Sequence, residues 1–241
     1  MSALRDRLKA MLVLQDSMNA KVNPAWLTAR YPWLRAVLLE GAEAIDHYGW
    51  KWWKHTKPDM DQFRVELVDI WHFALSDALE RVEGNHELAA ITIENALTAG
   101  TQVDEMMFGV RLYTFSDMAP VDRVELLCGL AAQRRFSFGL FASIMKDANM
   151  DWDQLYVGYI SKNVLNFFRQ DNGYKEGTYI KLWDGREDNE WMTDIVKKLD
   201  STAPNFDNLL YNELAVSYVG VLEFNGRMTE AERLRQAFRP V

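Results

Sequence analysis

Cysteine, glycine and proline are all scarce in this sequence. Its 241 residues include one cysteine, Cys128, together with 13 glycines and 6 prolines. A single cysteine excludes a disulfide within the chain and fits a reducing compartment. With so few glycines and prolines, long stretches can stay helical, and strand-like alternation of polar and apolar residues is rare. These absences predict an all-α fold, a multi-helix bundle.

Long apolar runs and an excess of positive charge are also absent. No segment approaches the ~20 consecutive apolar residues that a membrane helix needs. The first residues carry three cations followed by only a short apolar run at 11–14, which does not match a signal peptide. The formal net charge of -8 disfavours binding to a nucleic-acid polymer, although not to a small phosphorylated ligand. We therefore expect a soluble, cytoplasmic protein whose partners include neither a membrane nor a nucleic-acid polymer.

The domain organisation is predicted to be simple. The composition, 49% hydrophobic and 26% charged, is close to globular averages. Because no repeat and no flexible linker is visible, we predict a single domain over residues 1–241. Gly49 should end one helix, and Asp59 with Gln62 should cap the next. The segment 50–58 is expected to be a loop or a short turn of helix, and 171–188 is expected to be an ordered loop. Helical periodicity predicts helices over about 3–20, 32–48, 59–83, 86–98, 102–115, 121–147, 151–170, 188–200 and 205–238.

Two of these helices each carry a pair of acidic residues. Glu40 and Glu43 form the first pair, and Glu66 and Asp69 form the second. Residues three apart share a helix face, so two packed helices can bring four carboxylates together. A hard divalent cation relieves such crowding, and oxygen-only ligation suits Mg²⁺ or Mn²⁺ better than Zn²⁺. The spacing alone is also consistent with a solvated acidic face.

A cluster of cations and amides lies later in the chain. Lysine and arginine neutralise phosphate, and glycines let backbone approach a ligand closely. A favourable interaction with the helix dipole explains one cation at a helix end, but not the cations beyond it. The pattern therefore predicts a phosphate-binding segment. Its members are Lys162, Asn166 and Arg169 at i, i+4 and i+7 of a helix, and then Lys175, Tyr179 and Lys181 in the loop.

Aromatic and amide side chains suggest how a base could be held. Trp50, Trp52 and Trp53 crowd the connector between the two acidic helices, and indole rings stack well on flat bases. Core packing or a dimer interface is the alternative for these tryptophans. Gln15 and Asn19, four apart on the first helix, offer amide donors and acceptors that can read a base edge.

Taken in chain order, these features resemble a known group of enzymes. The E-x-x-E pair, the aromatic and basic connector and the E-x-x-D pair resemble the all-α NTP pyrophosphatase superfamily, which includes MazG-like proteins and dimeric dUTPases. Residues 14–19, L-Q-D-S-M-N, and the later N-F-F-R, G-Y-K and G-T-Y-I-K segments are similar to the dimeric dUTPases more narrowly. The motif-bearing parts cover about 14–83 and 160–190. The stretch 86–150 is a helical segment of unassigned role.

The resemblance implies a helical homodimer that hydrolyses dUTP, and also dUDP, to dUMP. It implies a Mg²⁺ site formed by Glu40, Glu43, Glu66 and Asp69. It implies base contacts from Gln15, Asn19 and Trp53. It implies phosphate contacts from Asn166, Arg169, Tyr174, Lys175, Lys181 and Asn189.

The expected mechanism needs no covalent nucleophile. A metal-activated water attacks the phosphate chain, and Glu43 or Glu40 takes its proton. Two alternatives stay open at this point. One is a related enzyme that acts on dCTP or on several nucleoside triphosphates. The other is a catalytically silent helical protein that binds a nucleotide or a protein partner.

Overall fold

The computed structural model describes residues 3–102 and 104–238, and helices dominate it. These residues form eleven α-helices, one short 3-10 helix at Phe115–Asp117 and four short strands. The predicted all-α class is therefore confirmed. Within the described ranges, no helix combines the length and the apolar character needed to cross a membrane.

The helices fall into two compact units, Met1–Tyr159 and Ile160–Val241, and the division lies within α8. The single domain stays a prediction. The first described helices are α1 (Ala3–Val22), α2 (Trp26–Ala29), α3 (Trp33–Tyr48), α4 (Met60–Arg81), α5 (His86–Gln102), α6 (Pro120–Ala132) and α7 (Phe138–Asp147). The later ones are α8 (Trp152–Asp171), α9 (Asp188–Val196), α10 (Phe206–Phe224) and α11 (Met228–Gln236).

The two acidic helices, α3 and α4, are joined by a short connector. α3 ends at Gly49, whose φ of 77° lies in the left-handed region that glycine adopts at little cost. α4 begins after Asp59, whose carboxylate accepts a hydrogen bond from the backbone N–H of Gln62 at 3.1 Å, as predicted. The Asp59 amide also donates to the His47 carbonyl oxygen at 2.8 Å. This bond closes the turns of 50–58 and lets the two helices pack together.

Aromatic and aliphatic side chains fill the core of the first unit. Trp71 of α4 is fully buried and stacks on Phe141 of α7, with ring centroids 5.3 Å apart. Leu34 and Val37 bury one face of α3, which packs against both α4 and α6. The core therefore fixes α3 and α4 from several sides.

The predicted helix over 102–115 is wrong. In its place, β1 (Glu105–Phe108) pairs antiparallel with β2 (Arg111–Thr114) in a hairpin. Gly109, in the two-residue loop, has a φ of 62° that permits the tight turn. A glycine flanked by aromatic and β-branched residues favours a hairpin over a helix. Residue 103, which the predicted helix included, lies outside the described residues.

Two longer predicted helices are each divided. The one over 121–147 separates into α6 and α7, with Arg134 in the left-handed conformation at a φ of 60°. Ser137 then caps α7 by accepting a hydrogen bond from the Leu140 amide at 3.2 Å. The one over 205–238 separates into α10 and α11 at Gly226, whose φ is 74°. A left-handed residue ends a helix without changing the apolar periodicity around it.

The second unit is organised around a cluster of aromatic rings. Phe168 and Trp183 are fully buried, and both contact Tyr218, at 5.6 Å and 5.3 Å between ring centroids. β3 (Leu182–Trp183) and β4 (Arg186–Glu187) pair antiparallel within the segment predicted to be a loop. This small hairpin leads directly into α9, whose first turn carries Asp188 and Asn189.

Candidate functional site

Three of the four predicted acidic ligands converge. Glu40 and Glu43 on α3 and Glu66 on α4 each offer a carboxylate oxygen, and these oxygens all lie within 4.8 Å of one another. Glu66 is buried, Glu40 is half-buried and Glu43 is exposed. Three negative charges this close repel one another unless a cation or a proton compensates them.

Asp69 lies one helical turn beyond Glu66 on α4 and is half-buried. The three-residue spacing puts it on the same helix face. It does not belong to the set whose oxygens all lie within 4.8 Å of one another. Its role as a fourth metal ligand stays a prediction.

A histidine that the sequence reasoning left unassigned contacts this cluster. Nε2 of His47 lies 3.5 Å from Oε1 of Glu66. His47 follows Glu43 by four positions on α3, so the helical spacing was an available signal. When Nε2 carries a proton, the imidazole can donate a hydrogen bond to the buried carboxylate.

Close packing of α3 against α6 holds the first acidic pair in place. Gly41 lies between Glu40 and Glu43, and a Cβ atom at this position would lie only 2.5 Å from Sγ of Cys128. Burial raises the pKa of the Cys128 thiol to about 11, and the nearby charge of Glu125 acts in the same direction. The thiol is therefore protonated at neutral pH and serves as a small packing group.

The donor set at this cluster suits a hard divalent cation. All three groups are carboxylates, which are the ligands that Mg²⁺ prefers and that Mn²⁺ also accepts. One is buried and one is exposed, so a cation here would be held by protein on one side and open to water on the other. The residues present therefore fit such an ion, and its binding stays a prediction.

The two amides predicted to contact a base are buried in a hydrogen-bonded network. Nε2 of Gln15 donates to Oδ1 of Asn19 at 3.0 Å, and Nδ2 of Asn19 donates to Oγ of Ser76 at 3.0 Å. Oε1 of Gln15 lies 3.0 Å from the Tyr159 hydroxyl and 2.7 Å from Nδ1 of His72. The network holds both amides in one orientation, because each already has defined partners.

The tryptophan connector is exposed. Trp52 and Trp53 have 87% and 57% of their surface accessible, which excludes core packing as the explanation for either ring. The Trp53 ring contacts Trp50 and Trp52 edge to face, with centroids 5.1 Å and 5.4 Å away. Lys51 in the same segment forms an ion pair with Asp46. The segment thus offers aromatic surface for stacking on a flat ring.

In the second unit, the predicted phosphate ligand Arg169 forms a buried ion pair. Its Nε and Nη2 atoms donate to the two carboxylate oxygens of Asp188 at 2.8 Å and 2.7 Å. Burial alone would lower the pKa of Arg169, but the bonds to Asp188 raise it above its ordinary value. The Tyr179 hydroxyl donates to the same carboxylate at 2.8 Å, and burial beside that charge raises the pKa of Tyr179. Asp188 was not assigned from the sequence, and it neutralises this arginine.

The neighbouring amides extend this network. Oδ1 of Asn189 accepts hydrogen bonds from Lys162 at 2.9 Å and from Arg169 at 3.3 Å. Oδ1 of Asn166 accepts a longer bond from Arg169 at 3.4 Å. Both amides therefore serve the buried arginine in this structure, and their contacts with phosphate stay predictions.

The remaining predicted phosphate ligands lie at the surface of the second unit. Tyr174 and Lys175 are exposed, and the Tyr174 ring lies 5.8 Å from the Arg169 guanidinium carbon. Lys181 is exposed and forms an ion pair with Glu187 at 2.9 Å. Of these three residues, the two cations carry charge that a phosphate group could reach from solvent.

Comparison with known protein families places the chain in one of them. A family model described as dUTPase matches residues 7–174, which is more than half of the sequence. The chain belongs to this dUTPase family. A comparison with curated individual proteins found no match.

The matched range covers the carboxylate cluster, the tryptophan connector and the Gln15 network. Family membership supports a nucleotide pyrophosphatase that acts on a nucleotide substrate. Tyr174 is the last matched residue, so Lys175, Lys181 and Asn189 lie beyond the match. The family match therefore gives no support for a role of these three residues, and only their positions in the structure do.

Proposed function

We propose that this protein is a Mg²⁺-dependent dUTP diphosphatase that converts dUTP and water to dUMP and pyrophosphate. On dUDP the same reaction would give dUMP and phosphate. The observation that carries the proposal is the convergence of Glu40, Glu43 and Glu66 in a chain of the dUTPase family. A merely solvated acidic face would leave all three carboxylates exposed, whereas Glu66 is buried, and glutamate is seldom fully buried in proteins.

The acidic cluster would hold the cation. Glu40, Glu43 and Glu66 would bind Mg²⁺, or Mn²⁺ in its place, and Asp69 would complete the set on α4. When bound, such an ion supplies positive charge that stabilises phosphoryl oxygens and lowers the pKa of a water ligand. The hydrogen bond available from His47 would orient Glu66, much as partners behind metal ligands do elsewhere.

The exposed carboxylate is the best candidate for the general base. Glu43 faces solvent, so one of its oxygens can reach the water that attacks the phosphate chain. Glu40 is the second candidate, because it is half-buried and lies one helical turn earlier. Either oxygen would take the proton that the water releases, and no covalent intermediate with the protein is needed.

Substrate binding would use the aromatic connector and the exposed cations. The exposed face of Trp53 would stack on the base, and the ordered amides of Gln15 and Asn19 would read its edge. Lys175 and Lys181 would pair with the phosphate groups, with Tyr174 beside them. Asn166, Arg169 and Asn189 would support this segment. For direct contact, Arg169 would have to bind a phosphate group as well as Asp188, with which it already forms an ion pair. We also propose that the active form is a homodimer.

A turnover assay with a nucleotide panel tests the proposal. Pyrophosphate or phosphate release would be measured with dUTP, dUDP, dCTP and dTTP, with Mg²⁺ and with EDTA. We expect dUTP and dUDP to be consumed only with Mg²⁺. We expect Glu43→Gln to lose about 100-fold or more in kcat, in line with removal of a general base. Glu213→Gln, an exposed glutamate on α10, is the matched control and should keep the wild-type rate.

The outcomes separate the alternatives. Preference for dCTP, or equal use of several triphosphates, would replace the dUTP assignment with a related pyrophosphatase. Absence of Mg²⁺-dependent turnover on every nucleotide would favour a silent binding protein. A Glu43→Gln variant with wild-type turnover would remove Glu43 from the chemistry.

A further inference from the structure

A cavity lies in the first unit, well away from the carboxylate cluster. It occupies about 320 Å³ between the end of α4, the first half of α5 and the loop that joins α6 to α7. Its nearest α4 residue, Asp77, follows Glu66 by eleven positions, or about 16 Å along the helix axis. The volume is at the lower end for pockets that hold small molecules. The lining includes Asp77, Arg81, Thr92, Arg134, Phe136 and Phe138.

The cavity is positively charged in an otherwise acidic protein. Arg81, Arg134 and Arg135 line it together with a single carboxylate, Asp77. Arg81 and Asp77 satisfy each other, with Nε of Arg81 donating to Oδ2 of Asp77 at 2.6 Å. The whole chain carries a formal charge of -8, so the positive charge around this cavity is opposite in sign to the net charge of the protein.

Two of the three guanidinium groups have no anionic partner within the described ranges. Arg134 and Arg135 are exposed, and neither forms an ion pair with a described carboxylate. Arg81 contacts the backbone next to them, since its Nη2 donates to the Arg134 carbonyl oxygen at 3.3 Å. Adjacent guanidinium groups repel one another, and a bound anion relieves that repulsion by accepting paired hydrogen bonds from each.

Aromatic rings form another wall of the same cavity. Phe136 and Phe138 meet edge to face with ring centroids 5.0 Å apart. Ala78, Val82 and Ala89 complete an apolar surface. Flat rings pack well against phenylalanine, whereas a free phosphate ion gains nothing from it. The lining therefore matches a ligand with a charged part and a planar part.

We propose that this cavity binds a nucleoside monophosphate, a planar base joined to a phosphate group. The phosphate would pair with the guanidinium groups of Arg134 and Arg135, and the base would lie against Phe136 and Phe138. The site is separate from the acidic cluster and needs no metal ion. It does not depend on the proposed diphosphatase activity.

The backbone at Arg134 supplies a clean test variant. Arg134 has a φ of 60°, a conformation that glycine adopts more easily. Arg134→Gly therefore removes the guanidinium group and also relieves backbone strain, so loss of folding is not a concern. Arg30 is also exposed and left-handed, with a φ of 54°, and lies at the end of α2. Arg30→Gly is the matched control, because it makes the same chemical change outside the cavity lining.

The experiment is calorimetric titration of the full chain with AMP, inorganic phosphate and adenosine in EDTA. We expect AMP to bind more tightly than either of its halves. We expect Arg134→Gly and Arg135→Gln each to weaken AMP by about tenfold, the usual contribution of a hydrogen bond to a charged group. Arg30→Gly and Glu66→Gln should bind AMP like the wild type.

Four results would overturn this proposal. One is the absence of saturable AMP binding at millimolar concentration. Another is adenosine binding as tightly as AMP, which would leave the arginines without a role. The third is unchanged AMP affinity in Arg134→Gly and Arg135→Gln, which would move binding elsewhere. A loss of AMP affinity in Glu66→Gln alone would assign it to the acidic cluster and also contradict the proposal.

Discussion

Replacing Asp188 with asparagine should strongly destabilise the second unit. The Asp188 side chain is fully buried and accepts bonds from two nitrogens of Arg169 and from the Tyr179 hydroxyl. The substitution keeps the size of the side chain and removes its charge. It also turns one acceptor into an amide donor that faces a guanidinium group.

The geometry sets the size of the effect. Removing one partner of a buried ion pair leaves the other charge uncompensated and costs about 3–5 kcal/mol. Arg169 is itself buried, and its longer bonds to Asn166 and Asn189 are to neutral acceptors. We therefore expect a loss of about 4 kcal/mol in the free energy of unfolding, near the middle of that range.

Urea denaturation followed by tryptophan fluorescence measures this loss. The control is Asp194→Asn, the same chemical change at a surface carboxylate whose side chain is 44% accessible and pairs with Arg186 at 2.9 Å. Exposed pairs contribute little, so the control should unfold close to the wild-type midpoint. If Asp188→Asn and Asp194→Asn shift the midpoint equally, the reasoning from burial of the Arg169 pair is refuted.

Three further changes test other parts of the structure. Trp53→Ala should raise the KM for dUTP more than it lowers kcat, because the ring would stack on the base without joining the chemistry; an unchanged KM would remove it from the substrate site. Gly41→Ala should lower the free energy of unfolding by about 1–2 kcal/mol in urea denaturation, since overlap with Cys128 outweighs the gain in helix propensity, and adding Cys128→Ala should recover most of this loss. At pH 8, iodoacetamide should modify Cys128 about 100-fold more slowly than an exposed cysteine, because burial raises its pKa to about 11; a rate near that of a free thiol would contradict this burial.

The helical part of the fold follows from local patterns. Sparse glycine and proline, the Asp59 cap and the stop at Gly49 were readable because each acts on its own neighbours in the chain. The pairing of Glu40 with Glu43 was readable for the same reason, since a spacing of three defines a helix face. These local rules predicted which residues α3 and α4 present together.

What local patterns did not predict were the breaks and the hairpin. Helical segments stand directly on both sides of Arg134 and of Gly226, so each pair of helices was predicted as one. At 105–114, pairing between the two strands decides the structure, and helical periodicity competes with it in the sequence.

Contacts between distant residues account for the differences at the candidate site. Arg169 and Asp188 are nineteen positions apart and lie on different helices, so spacing alone gave no sign of their ion pair. Likewise, the packing of Gly41 against Cys128 helps to set the position of α3, and the resulting cluster contains Glu66 but not Asp69. The sequence thus predicted the kinds of side chain at the site better than their partners.

The most direct test of the metal site is a Mn²⁺ titration followed by electron paramagnetic resonance, which reports the free ion. Wild-type protein and the Glu213→Gln control should remove Mn²⁺ from solution to the same extent, and Mg²⁺ should displace it. Glu66→Gln, which takes one negative charge out of the converging cluster, should bind Mn²⁺ at least about tenfold more weakly. Equal Mn²⁺ binding by Glu66→Gln and wild type would contradict a cation held between α3 and α4.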